Sequence, residues 1–180
     1  NNTMIFNQKV SPELQMSYAE NRGEITIVKY EGNEANVVIP AAIDGFPVTR
    51  IEPYAFSEKQ MRYITFPETL ITIDHHGFSE CRQLTHVVLP PKLKSIGNYC
   101  FYNCWNIESV HFTPYIRSIG FGAFMNCEKL TDIIQDKLPD HPISLGSLLD
   151  ELIHQIHLEM RYIQPDGTYL SGKLTFTEYV

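Results

Sequence analysis

Four cysteines and seven histidines are the side chains of this 180-residue chain best suited to nucleophilic or metal chemistry. Thiolates and imidazoles bind zinc and serve as nucleophiles or bases. Cys100 and Cys104 stand four apart, His154 and His157 stand three apart, and His75 adjoins His76. None of these spacings completes a site. No second ligand pair lies at zinc-finger distance from Cys100 and Cys104. A Cys100–Cys104 disulfide would need Cα atoms within about 7 Å. Adjacent residues such as His75 and His76 rarely aim at one target. The chain also lacks G-x-x-x-x-G-K-[ST], G-x-G-x-x-G after a strand, G-x-S-x-G and H-E-x-x-H. The residues therefore point to no catalytic group, no metal and no cofactor.

The elements that position these cysteines explain them better than chemistry does. Cys81, Cys104 and Cys127 recur at steps of 23, as do Phe78, Phe101 and Phe124. Three units share six apolar columns. They are Phe66, Leu70, Ile73, Phe78, Leu84, Val87; then Leu89, Leu93, Ile96, Phe101, Ile107, Val110; then Phe112, Ile116, Ile119, Phe124, Leu130, Ile133. An irregular earlier unit runs Ile39, Ile43, Ile51, Phe56, Met61, Ile64. A fixed period in this range predicts a stacked solenoid with atypical end units. The three cysteines then form an inward stack of buried thiols, which behave as small hydrophobes. Cys100 shares a small-residue column with Ala55, Gly77 and Ala123.

Each unit ends in an alternating segment (84–89, 107–112, 130–135) that predicts a short strand. Proline follows at Pro40, Pro67 and Pro90, with Thr113 in that place in the last unit, and ends the pairing. The stretch 95–103 suits a tight turn or a short helical arc on the opposite side. The segments 73–81, 96–104 and 119–127 resemble the I-G-x-x-A-F-x-x-C core of the BspA-like leucine-rich repeat family. The stretch 38–51 resembles that family's entry repeat. The resemblance spans about residues 25–134 and implies a right-handed leucine-rich repeat solenoid. It also implies bacterial surface adhesion or binding of a host protein.

The expected organisation is an N-terminal cap with a β-hairpin (1–38), about four repeats (39–135), a linker (136–143) and a C-terminal helix plus β-hairpin (144–180). The cap hairpin is placed at 24–39, with the turn at 31–34. Residues 4–10 read as a further strand, and 11–14 as one helical turn with Pro12 just inside it. Leu145, Leu148, Leu149, Leu152 and Ile153 recur at helical spacing, with Ser144 as N-cap. The segments 156–162 and 170–176 alternate around a turn at 164–167. The chain stops while still reading as strand, so the natural protein is expected to continue.

Net charge is −7 and no basic stripe occurs, which argues against a nucleic-acid partner. No apolar run of about 18 residues exists to span a membrane. The first residues, Asn1–Met4, carry neither a basic region nor an apolar run of a signal peptide. Free cysteines and that start suit the cytoplasm, whereas the resemblance suits the cell surface or secretion.

The expected function is a non-enzymatic module binding a protein or a glycan. The alternatives are an intracellular scaffold of the same fold, or a scaffold positioning an active C-terminal unit lined by His141, His154 or His157. Candidate binding residues fall in two places. On the outward strand columns stand Tyr63, His86 and then Ser109 and Asp132, beside Thr65, Val88, His111 and Ile134. On the turns stand Tyr99, Tyr102 and Trp105. Trp105 shares a solvent column with Arg82 and Glu128, so it either meets a partner or folds onto the C-terminal helix.

Overall fold

The computed structural model describes residues 7–113, 115–136, 162–163, 169–170 and 175–179. The strands in chain order are β1 (Lys9–Ser11), β2 (Met16–Asn21), β3 (Glu24–Tyr30), β4 (Asn36–Val38), β5 (Ala42–Ile43), β6 (Phe46–Ile51) and β7 (Tyr63–Thr65). They continue as β8 (Thr72–Ile73), β9 (His86–Val88), β10 (Ser95–Ile96), β11 (Ser109–Phe112), β12 (Ser118–Ile119) and β13 (Asp132–Asp136). Last come β14 (Tyr162–Ile163), β15 (Tyr169–Leu170) and β16 (Thr175–Tyr179).

Two sheets enclose one core. One follows the order β4-β7-β9-β11-β13-β16 and is parallel throughout. The other follows β1-β2-β3-β6-β8-β10-β12, with β5 paired to β6. Each coil contributes one strand to each sheet, so the chain winds as a β-solenoid. Every residue of the six apolar columns is buried, including all six of the irregular first unit. The phenylalanine column stacks ring on ring: Phe56–Phe78 at 4.8 Å, Phe78–Phe101 at 5.5 Å and Phe101–Phe124 at 5.4 Å between centroids. Tyr30 from the cap adds a rung, 5.5 Å from Phe56. Such offset pairs add to the burial of apolar area.

The second sheet was not anticipated. Its repeat strands β8, β10 and β12 have two residues each, too short for alternation to register in the sequence. They pair in register, Ile73 beside Ile96 beside Ile119. The glycine after Ile96 is required here. A Cβ at Gly97 would collide with the backbone nitrogen of His75 and lie 2.8 Å from the Asp74 carbonyl carbon. Successive coils thus approach backbone to backbone at this corner.

The cap differs from the expected hairpin at 24–39. β3 instead pairs antiparallel with β2 through a turn at Arg22-Gly23, both with positive φ of 52° and 81°. That pair of left-handed residues makes the tight hairpin turn whose twist matches the strands. β1 pairs with β2 through the turn at 12–15, where a helical turn was expected. β4 crosses to the other sheet and pairs parallel with β7, Val37 beside Ile64. The reason is burial: Val37 aligns with the repeat column of Ile64 and Val87.

No helix occurs among the described residues. The expected helix of the 144–180 unit lies outside them, as do His141, His154 and His157. β14 and β15 pair antiparallel, Tyr162 beside Leu170, and the expected turn at 164–167 lies outside the described residues. β16 instead adds in parallel to β13, with Ile133 beside Phe176.

Candidate binding surface

The thiols have structural work. Cys81 donates to the Phe56 carbonyl at 3.1 Å, Cys104 to the Phe78 carbonyl at 3.1 Å, and Cys127 to the Phe101 carbonyl at 3.2 Å. Each thiol therefore satisfies a carbonyl of the preceding coil. All four cysteines are buried and free, and no Cys100–Cys104 disulfide forms. Burial pushes the Cys100, Cys104 and Cys127 thiols well above the ordinary thiol range. A thiolate nucleophile is thus disfavoured at these positions. Among the described residues no group of three His, Cys, Asp or Glu side chains could hold a metal ion.

The turn side carries an aromatic ladder. Tyr54 stacks on His76 at 4.6 Å, and His76 on Tyr99 at 5.1 Å. Phe121 meets Tyr99 edge to face at 5.7 Å, and Tyr102 meets Tyr99 likewise at 5.6 Å. Tyr54 is 48% exposed and Phe121 56% exposed. The three stacked residues share a backbone feature: Tyr54, His76 and Tyr99 have φ of 62°, 55° and 56°. Gly122, at 65°, occupies the same column one coil later. Left-handed backbone is easy for glycine and costs other residues about 1 kcal/mol or more. The Tyr99 ring lies over Gly122, and a Cβ there would sit 2.6 Å from Tyr99 Cε1. His76 has its pKa lowered by partial burial and then by the neighbouring His75, so a neutral imidazole stacks in the ladder.

A second left-handed column runs beside it. Glu58, Glu80, Asn103 and Asn126 have φ of 64°, 63°, 58° and 62°. Asn126 Nδ2 donates to Asn103 Oδ1 at 2.8 Å, and Asn103 Nδ2 to Glu80 Oε1 at 2.7 Å. Trp105 follows this column and is 40% exposed. Its ring carries the Arg82 guanidinium 4.2 Å from its centroid. Trp105 is therefore paired with its column neighbour of the preceding coil, a partner the sequence reading did not foresee.

A shallow groove of about 310 Å³ lies beside the ladder, lined by residues that include Thr72, Asp74, Ser95 and Asn98. Several of its polar groups are already engaged. Asp74 pairs with Arg50 and accepts from the His75 amide at 2.8 Å. Asn98 Oδ1 accepts from the Phe121 amide at 2.8 Å.

The strand-side candidates lie on the outer face of the parallel sheet, away from the turns. Tyr63, His86, Ser109 and Asp132 align across neighbouring strands, as do Val88, His111 and Ile134. Tyr63 and Val88 are 53% and 59% exposed. His86 Nδ1 pairs with Ser109 Oγ at 2.7 Å, and His86 Nε2 lies 3.6 Å from Glu108. His111 is half-buried. The predicted residues thus form two separate surfaces. Tyr54, His76 and Phe121 complete the turn-side one and were missed. The 23-residue column holding Tyr99 was the available signal, but Tyr54 stands 22 before His76 and falls out of phase.

Comparison with known proteins bears on the fold. The family model described as BspA type leucine-rich repeat region matches residues 49–146 in six copies. A leucine-rich repeat protein of T. pallidum is similar at 28% identity, with a TM-score of 0.57, over 70% of this chain and 71% of that one. A leucine-rich repeat protein from Bacteroides capillosus is similar at 20% identity, with a TM-score of 0.61, over 68% of this chain and 95% of that one. The pneumococcal vaccine antigen PcpA shares the fold at 15% identity, with a TM-score of 0.58, over 67% of this chain but 29% of its own length. No curated protein matches the sequence.

Proposed function

The chain belongs to the BspA-type leucine-rich repeat family, and from that premise we propose that it is a non-enzymatic protein-binding module that works through its turn-side aromatic edge. Repeat scaffolds of this kind generally bind proteins on an extended surface. The observation that carries the choice of surface is the ladder Tyr54–His76–Tyr99 with Phe121. It keeps aromatic side chains half exposed on left-handed backbone that glycine or asparagine would occupy more easily. Aromatic residues dominate binding hot spots because they offer large contact area on few rotatable bonds. Tyr102 and Trp105 extend this edge, and the strand face is the weaker surface.

An adhesin-like role at a bacterial surface is the wider proposal, supported by the family and by the fold shared with a pneumococcal vaccine antigen. Surface labelling of intact source cells tests that setting, and protection from the label would count against it. The binding surface is tested by comparing two folded double variants for partner recovery. Tyr99→Ala with Phe121→Ala should abolish recovery, while Tyr63→Ala with Val88→Ala should leave it. The reverse pattern would move the site to the strand face.

A further inference from the structure

We propose that the aromatic edge is a proton-linked site, which holds its protein partner while His76 is neutral and releases it as the solution turns acid. The inference rests on the protein-binding reading above and adds the regulation of that surface. His76 is the middle rung of the ladder. Its ring lies 4.6 Å from Tyr54 at 7° and 5.1 Å from Tyr99 at 21°, so a tyrosine covers each face and only the rim reaches solvent. The backbone is pinned as well. The His76 amide donates to the Asn98 carbonyl at 2.9 Å, and its own carbonyl accepts from the Ser79 amide at 3.2 Å and from Ser79 Oγ at 3.3 Å. The ring is therefore half-buried before any partner arrives. A partner seated across Tyr54, Tyr99 and Phe121 covers the rim that remains.

The groups around the ring supply no counter-charge for a proton on it. His75 meets it edge to face at 6.1 Å. Nδ1 of His75 stands 3.2 Å from Asp74 Oδ1, and Asp74 also pairs with Arg50. Arg50 in turn lies 3.5 Å from Glu52. The Asp74 carboxylate is thus committed to His75 and Arg50. On the Tyr54 side a further cation, Lys29, donates to the Tyr54 carbonyl at 3.3 Å. On the Tyr99 side the contacting rings are the neutral Tyr102 and Phe121. No ion pair among the described residues engages His76. Partial burial, and then the neighbouring His75, already lower its pKa. Covering the rim takes more water from the ring and penalises the imidazolium further. Binding and protonation then compete by linkage. Affinity is full above about pH 6.5 and falls as pH drops below the value of the free folded protein, by at most about tenfold per pH unit.

The immobilised full chain is loaded with source-cell extract at pH 7.5 and stepped to pH 5.5 at constant salt. The probe is the protein band that the Tyr99→Ala, Phe121→Ala double variant fails to retain. That band should drop by about three- to tenfold at pH 5.5. His76→Gln, which cannot take the proton, should retain equal amounts at both pH values. His86→Gln, on the strand face, should keep the drop. An unchanged band at pH 5.5 overturns the inference. So does a drop that His76→Gln keeps, or one that His75→Gln removes in its place. Amide NMR spectra of the free chain should stay dispersed at pH 5.5, and their collapse would make the drop an effect of unfolding and overturn the inference too. Histidine titration in the same protein should place the His76 midpoint below 6.5, and a midpoint at or above it contradicts the linkage. A band present but indifferent to pH leaves the aromatic-edge reading intact, whereas absence of any such band removes that reading and this inference with it.

Discussion

The His76 ring stacks on the Tyr99 ring with centroids 5.1 Å apart and planes 21° from parallel. Partial burial, the larger cause, and the adjacent His75 both lower its pKa and favour the neutral imidazole. The folded-state value thus lies below the ordinary 6.5 of the unfolded chain. The unfolded state then binds the proton more readily as pH falls. His76 contributes stability that is present above about pH 6.5 and is lost as pH falls through its folded-state value. Thermal unfolding across about pH 7.5 to pH 5 should show the melting temperature falling, less steeply in His76→Phe. Identical slopes in both proteins would contradict this role.

Cys104 sits at the centre of the thiol stack, and its hydrogen bond to Phe78 joins two coils. A serine there has a shorter bond to its oxygen and draws the donor away from that carbonyl. Cys104→Ser is expected to lower stability by about 1–3 kcal/mol, read from the urea midpoint. The native protein should resist thiol-modifying reagents at neutral pH and react at all four cysteines once unfolded. Rapid native modification would contradict the burial.

Gly97 closes the corner where β8 and β10 run side by side, and a side chain there meets backbone, which cannot swing aside. Gly97→Ala should therefore cost about 3 kcal/mol through forced separation of two coils. Chemical denaturation measures it. A loss under about 0.5 kcal/mol would mean that the coils are not in close contact.

The repeat was legible because stacking forces one residue type into one place at every coil. Phe78, Phe101 and Phe124 bury the same ring against the same neighbours, so the period survives in the letters. The outward strand register followed from the same logic, and Tyr63, His86, Ser109 and Asp132 do align. The short strands at Ile73, Ile96 and Ile119 left no alternation to read. The cap was misread because β3 and β4, close in sequence, belong to different sheets. Only Tyr30 stacking on Phe56, and Val37 aligning with Ile64, reveal that. The aromatic edge was half visible. Tyr99 and Tyr102 stood out by type, but their contacts to His76, Tyr54 and Phe121 cross coils and depend on side-chain direction. The Arg82–Trp105 pair was hidden for the same reason, although the column had placed the two residues one above the other.

The central claim is that the exposed aromatic edge, not the strand face, meets the partner. Photo-crosslinking from two positions tests it most directly. Benzoyl-phenylalanine replaces Phe121 on the edge in one protein and Val88 on the strand face in another. Both sites are more than half exposed, so neither substitution disturbs the core. The account predicts a discrete cross-linked product from position 121 that disappears when Tyr99→Ala is added, and none from position 88. A product from position 88 with none from position 121 would contradict it.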